Sequence, residues 1–227
     1  MLWVKICGMT NLDDAFAAAE AGADAIGLIF APSKRQVTPE AAKEIAQKLP
    51  KTLDKVGVFA NESAQAIEDI AAEVGLTAVQ LHGDESPEFA RTLFRHGGQR
   101  SRAQMRVFKT LHVIGGIESI AREFLTVKCV DGFLLDSVVH NAETGQTERG
   151  GTGQVFDWQR ANEFLPGMQR ETRIIVAGGL SPDNVADAVR MLQPWGVDVC
   201  SSVELEPRKK DWHKLRAFVA AARDARN

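Results

Sequence analysis

Four short stretches of this chain are variants of one unit: Gly22-Ala23-Asp24-Ala25-Ile26, Gly75-Leu76-Thr77-Ala78-Val79, Val130-Asp131-Gly132-Phe133 and Gly196-Val197-Asp198-Val199. In three of them a glycine ends a helical pattern two residues before an apolar run; in the third along the chain, Cys129 and Val130 fill that space. Asp24 and Thr77 are 53 residues apart, and Thr77 and Asp131 are 54 apart. Each interval holds two apolar runs and two helical patterns, so the repeating element is a pair of strand-helix units. Four such pairs predict an α/β fold, a single (βα)8 barrel of eight parallel strands ringed by helices. About 250 residues is typical of that fold, and the chain has 227. No linker divides it, so residues 1–227 are expected to form one catalytic domain.

Expected strands cover 2–6, 24–30, 55–59, 78–82, 105–109, 131–136, 173–177 and 197–200. Most are too continuously apolar for a surface strand. Expected helices cover 12–21, 39–49, 61–74 with Asn61 as cap, a segment opening at Ser86-Pro87-Glu88, 114–124, 156–164, 182–192 and 211–222. Residues 95–102 read as a polar connection. Residues 137–150 read as a long loop without apolar periodicity. Ile, Leu and Val, rather than glycines or aromatics, are expected to fill the barrel interior.

A net charge of -3 gives no electrostatic reason to expect nucleic acid or a membrane surface as partner. No apolar run reaches the roughly 18 residues of a membrane span. A core strand starting at residue 2 is expected to leave no room for a targeting segment. Cys7, Cys129 and Cys200 are an odd set without metal-site spacing, which suits a reducing cytoplasm. Tyrosine is absent and histidines number five, so acid-base candidates are few. A monomer is the default expectation, with a homodimer as the alternative.

Chemistry in such a barrel sits at the C-terminal ends of the strands. Gly150-Gly151-Thr152-Gly153 follows strand six, Gly178-Gly179 follows strand seven and Ser201-Ser202 follows strand eight. Glycines let backbone N–H groups converge on a phosphate, and the seventh and eighth strands are where barrels often bind one. No lysine follows these glycines, and they do not follow strand one, so no nucleotide fingerprint is present. Cys7 and Asp136 end strands one and six, which face each other across the ring. A thiol could take a carbon-bound proton and a carboxylic acid could give one to oxygen. That requires the carboxyl pKa to be raised by desolvation and the thiol pKa lowered by Lys5 or a backbone dipole. The bland alternatives are a buried structural cysteine and a capping aspartate. Arg35 is either a carboxylate fork or a solvated cation beside Lys34. His82 reads as a wall residue rather than the base, and Asp84-Glu85 as a solvated approach to a helix.

Lys5-Ile6-Cys7-Gly8, Ser33-Lys34-Arg35, Gln80-Leu81-His82-Gly83, Leu134-Leu135-Asp136, Gly150-Gly151-Thr152-Gly153, Ala177-Gly178-Gly179-Leu180 and Val203-Glu204 occur here in one order. In that order they resemble the phosphoribosylanthranilate isomerase family of tryptophan biosynthesis over essentially the whole chain. The resemblance implies an Amadori rearrangement of N-(5-phosphoribosyl)anthranilate to 1-(2-carboxyphenylamino)-1-deoxyribulose 5-phosphate, without metal or cofactor. It makes Cys7 the general base and Asp136 the general acid. It gives Arg35 the anthranilate carboxylate, and it gives Gly151, Thr152, Gly153, Gly178, Gly179, Ser201 and Ser202 the phosphate. Two departures stand out. Cys200-Ser201-Ser202 replaces the family's usual Ser-Ser-Gly, and Pro207-Arg208 replaces Pro-Gly; substrate affinity is the property they are expected to touch. The competing readings are the histidine-pathway isomerase, which uses two aspartates, a metal-dependent ribulose-phosphate epimerase, and a non-catalytic phosphosugar-binding barrel.

Overall fold

A computed structural model describes residues 1–100, 105–113, 117–140, 147–149 and 155–226. Eight strands, β1 (Trp3–Ile6), β2 (Ala25–Ile29), β3 (Asp54–Phe59), β4 (Ala78–Leu81), β5 (Arg106–His112), β6 (Gly132–Asp136), β7 (Arg173–Val176) and β8 (Gly196–Val199), form a closed parallel barrel. Helices α1 (Leu12–Glu20), α2 (Pro39–Lys48), α3 (Ala64–Val74), α4 (Pro87–Arg100), α5 (Ile117–Val127), α6 (Trp158–Gln169), α7 (Val185–Leu192) and α8 (Trp212–Asp224) follow the strands in turn. No helix among the described residues is long and apolar enough to cross a membrane.

Several boundaries differ from the sequence reading. Helix α4 runs on to Arg100 through most of the expected polar connection, and β5 continues to His112. The expected loop after β6 contains an antiparallel hairpin, Val138–His140 with Thr147–Arg149. Ser63, not Asn61, caps α3, its side chain accepting from Ala66 N–H. Asn61 instead adopts φ 55° and accepts the Asp84 N–H, tying two strand-end loops together.

The repeat has a physical cause. The side chain just before β2, β4 and β6 accepts a backbone N–H near the start of the strand before it. Asp24 Oδ2 takes Val4 N–H at 2.7 Å, Thr77 Oγ1 takes Lys55 N–H at 3.0 Å, and Asp131 Oδ2 takes Val107 N–H at 2.8 Å. The preceding helices end on a residue of positive φ: Gly22 (87°), Gly75 (75°), Lys128 (51°) and Gln193 (46°). The fourth stretch therefore does not align as expected. Gly196 lies inside β8 opposite Trp3, and Asp198 points into the barrel opposite Lys5. Lys128 is exposed and pays the left-handed cost without a packing return. Lys128→Gly is expected to stabilise the fold by about 0.5–1 kcal/mol, read as a higher urea midpoint at unchanged slope.

Alternation along the strands sorts the side chains into two cores. Val4, Ile6, Ile26, Leu28, Val79, Leu81, Val107, Phe133, Ile174, Val176, Val197 and Val199 face the helices. Inside the ring, Trp3, Ala25, Val56, Ala78, Phe108, Leu134 and Ile175 close the N-terminal end, with Trp195 packed beneath. Aromatics thus do fill the interior, contrary to expectation: the Trp3 ring lies 5.9 Å from Phe108 and 5.1 Å from Trp195. Ala25 and Ala78 leave the room for them. On the same inward face, one step toward the C-terminal ends, the layer turns polar, with Lys5, Gln80, Thr110, Asp136 and Asp198 all buried. Buried charge at that depth is costly and has to be paired.

Candidate active site

Strand β1 sends Trp3, Lys5 and Cys7 to the same side: an apolar plug, a cation, a thiol. Lys5 is fully buried, with Nζ 2.8 Å from Asp198 Oδ1 across the β1–β8 rung. Burial alone disfavours its charge, but Asp198 and then Cys7 outweigh that and raise its pKa above the ordinary lysine value.

Asp136, at the end of β6, is 6% exposed. Burial, then the charge of Asp198, raises its pKa to about 7, against a Ser137 N–H bond and Lys5 acting the other way. Its Oδ2 lies 3.8 Å from His82 Nε2. His82 Nδ1 is 3.1 Å from Thr110 Oγ1, which also accepts from Gln80 Nε2 at 3.1 Å, and the edge of one imidazole meets the face of the other in the His82–His112 pair. His82 is therefore a wall residue beside the carboxyl. Thr110 and His112 were missed in the sequence because the expected strand stopped at residue 109.

Gly178 packs against the same carboxyl: a Cβ there would lie 2.6 Å from Asp136 Oδ1, and its φ is +69°. A cavity of about 60 Å³ is lined by Asp136, Gly178, Gly179, Asp198, Cys200, Ser201 and Ser202, among others. Four of the expected phosphate ligands thus meet next to the expected acid. Gly151, Thr152 and Gly153 lie outside the described residues. The Ser202 hydroxyl donates to the Leu180 carbonyl, so this side chain ties two loops together.

Arg35 is not a solvated cation. Its Nε lies 2.8 Å from Glu204 Oε1 and its Nη2 2.6 Å from Oε2, while Lys210 Nζ reaches Oε1 at 3.0 Å. That fork holds Glu204 ionised: burial would push its pKa up, but Arg35 and Lys210 bring it below the usual value. Among the described residues Nη1 of Arg35 takes no partner, and the side chain is 15% exposed.

Sequence reasoning missed Glu204 as the partner of Arg35 because 169 residues separate them, and it missed Lys210 as the second cation on Glu204. It also missed what Arg208 does. Arg208 adopts φ +80°, a left-handed conformation that glycine takes without strain. Its Nη1 donates to Gln36 O at 3.1 Å and Lys34 O at 3.4 Å, the carbonyls on either side of Arg35. Arg208→Gly is expected to relieve the backbone and release the Arg35 loop, raising KM about threefold or more with little change in kcat; one hydrogen bond is worth about 1 kcal/mol. Steady-state kinetics read this directly.

Two expectations are corrected. Glu85 is buried, not solvated; it pairs with Lys109 at 2.9 Å and accepts from Asn61 N–H at 2.8 Å, so Lys109 braces a loop rather than facing the pocket. The Cys7 thiol pKa is not lowered. The neighbouring Cys200, then burial, push it well above the ordinary cysteine value despite Lys5. The lowered thiol is Cys200, brought to about 6 by Cys7 and, against burial, by Lys210 and Arg35.

A sequence profile described as N-(5'phosphoribosyl)anthranilate (PRA) isomerase matches residues 4–221. The chain belongs to that family. It is 42% identical over 228 residues to an N-(5'-phosphoribosyl)anthranilate isomerase of Pelobacter propionicus, covering 100% of this chain and 98% of that one. It is also similar to the crystal structure of a phosphoribosyl anthranilate isomerase from Thermotoga maritima, with TM-score 0.82 and 39% identity over 99% of this chain and 100% of that one. A third relative is a phosphoribosyl anthranilate isomerase solved with reduced 1-(o-carboxyphenylamino)-1-deoxyribulose 5-phosphate. It gives TM-score 0.79 and 36% identity, with 99% and 100% covered.

Proposed function

We propose that Asp136 and Cys7 act as acid and base in the isomerisation that defines the family, the conversion of N-(5-phosphoribosyl)anthranilate to 1-(2-carboxyphenylamino)-1-deoxyribulose 5-phosphate in tryptophan biosynthesis. The observation that carries the reading is the position of Asp136, buried at the rim of the cavity where the β7 and β8 loops meet, with its pKa near neutrality. A carboxyl of that kind is in part protonated at pH 7 and can give a proton to oxygen. Asp136 protonates the ring oxygen and the C1–O bond breaks, leaving an open-chain imine. Cys7 removes the proton from carbon 2, giving an enolamine, which becomes the ketone when carbon 1 is protonated and the carbon-2 hydroxyl loses its proton. The cationic imine acidifies the carbon-bound hydrogen, so a thiolate is base enough.

Arg35 offers its Nη1 edge to the anthranilate carboxylate, and Gly178, Gly179, Ser201 and Ser202 receive the phosphate. Holding both ends fixes the carbon between acid and base. Asp198 is a second interior carboxylate, as a two-aspartate mechanism would require, but its ion pair with Lys5 occupies it. A fluorescence assay following loss of phosphoribosylanthranilate tests the assignment. Cys7→Ser and Asp136→Asn should each abolish most turnover while phosphosugar binding persists, and wild-type turnover in either variant would remove that residue from the mechanism.

A further inference from the structure

We propose that Cys200 is a working part of the base: the thiols of Cys7 and Cys200 hold one proton between them, and Cys200 accepts the proton that Cys7 sheds before acting on carbon. The inference rests on the reading of Cys7 as the base. Its ground is the juxtaposition of the two sulfurs. The last rung between β1 and β8 pairs Ile6 with Val199, and Cys7 N–H donates to Val199 O at 2.8 Å. One residue further, Cys7 and Cys200 stand side by side on neighbouring strand ends, and each is the largest influence on the other's ionisation. Backbone walls hold both. A Cβ on Gly27 would come within 2.5 Å of Cys7 Sγ, and one on Gly8 within 2.9 Å of Cys200 Sγ.

The charges around the pair call for one thiolate. Lys5 and Asp198 lie on the inner side. Arg35, Glu204 and Lys210 lie beside Cys200, with Lys210 Nζ 3.0 Å from its carbonyl oxygen. Asp136 lines the same cavity as Cys200 and bears His82 on its far side. Three cations face two ionised carboxylates, which leaves one positive charge while Asp136 keeps its proton. A single thiolate balances it, and a second would be a buried, uncompensated charge. Arg35 and Lys210 place that charge on Cys200 at rest, in line with the low pKa there and the high one at Cys7.

In the reaction Cys200 thiolate takes the Cys7 proton, and Cys7 thiolate then takes the proton from carbon 2. The pair holds two protons at the enolamine stage and returns one when carbon 1 is protonated, so nothing is oxidised or reduced. A serine hydroxyl in place of the Cys200 thiol could donate a hydrogen bond but could not serve as the proton store.

The test compares wild type, Cys200→Ser, Cys200→Ala and Cys7→Ser. It reads thiolate ultraviolet absorbance and iodoacetamide alkylation against pH in the folded proteins, and kcat and KM across the same range. In wild type one thiolate should form with a midpoint near 6. Both Cys200 variants should move that midpoint, and the acid limb of kcat/KM, up by at least about one pH unit; that costs about tenfold at pH 6, with KM within about twofold. Cys129 is buried against the helices with its thiol pKa raised, and adds nothing in this range. Agreement between the Ser and Ala variants would exclude a purely hydrogen-bonding role. An unchanged thiolate midpoint and acid limb in both would overturn the proposal while leaving Cys7 as base. Full turnover in Cys7→Ser would overturn that underlying assignment and the proposal with it.

Discussion

Replacing Asp136 by asparagine should lower kcat by about 10³-fold and at the same time make the protein more stable at pH 8. The first effect follows from losing the proton that opens the sugar ring. The second follows from linkage. The folded carboxyl has its pKa raised from an ordinary 3.8 to about 7, so the native state holds a proton that the unfolded chain releases. The stability Asp136 contributes is fully present below pH 3.8 and is lost as pH climbs through 7. Above that, a buried carboxylate works against folding by a few kcal/mol. Asparagine never ionises, so the variant's advantage should grow between pH 4 and pH 8 and then level off. Paired urea titrations at those two pH values measure it. An alkaline limb near pH 7 in the wild-type kcat/KM profile should vanish in the variant. A variant less stable than wild type at pH 8 would contradict the burial argument, and a retained alkaline limb would assign that limb to another group.

Lys5→Met should destabilise the fold by about 3–5 kcal/mol, the second large effect. Methionine fills much of the lysine volume, so packing is not what is lost. What is lost is the cation 2.8 Å from Asp198, a carboxylate 8% exposed inside the barrel. Because the folded Lys5 pKa lies above its unfolded value of 10.5, its contribution is fully present below pH 10.5 and fades only as pH rises beyond. The Lys5 charge itself is constant across neutral pH, so the loss should grow with rising pH as Asp198, its pKa raised by burial and no longer held down by Lys5, is forced to ionise. Adding Asp198→Leu should recover most of the stability, since an apolar pair can replace a buried ion pair. It should not recover activity, because Cys7 will have lost the charge beneath it. Failure of the double variant to recover stability would mean that Lys5 is held by something other than Asp198.

The ring of strands was legible because its cause is local. Short apolar runs, helix-ending glycines and the residues Asp24, Thr77 and Asp131 recur at a spacing that admits few architectures. The fourth repeat misled because the left-handed role passes to Gln193, which carries no glycine signature, while the nearby Gly196 sits in a strand. Cys7, Arg35, Asp136, the Gly178-Gly179 turn and Ser201-Ser202 could be nominated because strand ends are readable positions. Their partners could not. Which carboxylate takes Arg35, which thiol meets Cys7 and whether Glu85 is wet or dry depend on contacts across the closed ring, and no window of sequence contains both members. The direction of the Cys7 pKa shift was misjudged for that reason: Lys5 is visible in the next turn of strand, and Cys200 is not.

The bonds behind the repeat also bear on the order in which the molecule is put together. Val4 to Asp24, Lys55 to Thr77 and Val107 to Asp131 span only 20, 22 and 24 residues. Each closes a short loop, and short loops form fast and cheaply. Joining β1 to β8 is different in kind, since it brings the first strand against the last. Lys5 meets Asp198, Cys7 meets Cys200 and Arg35 meets Glu204 only at that step. A growing or half-folded chain can thus possess most of its strands and none of its chemistry, so recovery of turnover during refolding is a clock for the final seam.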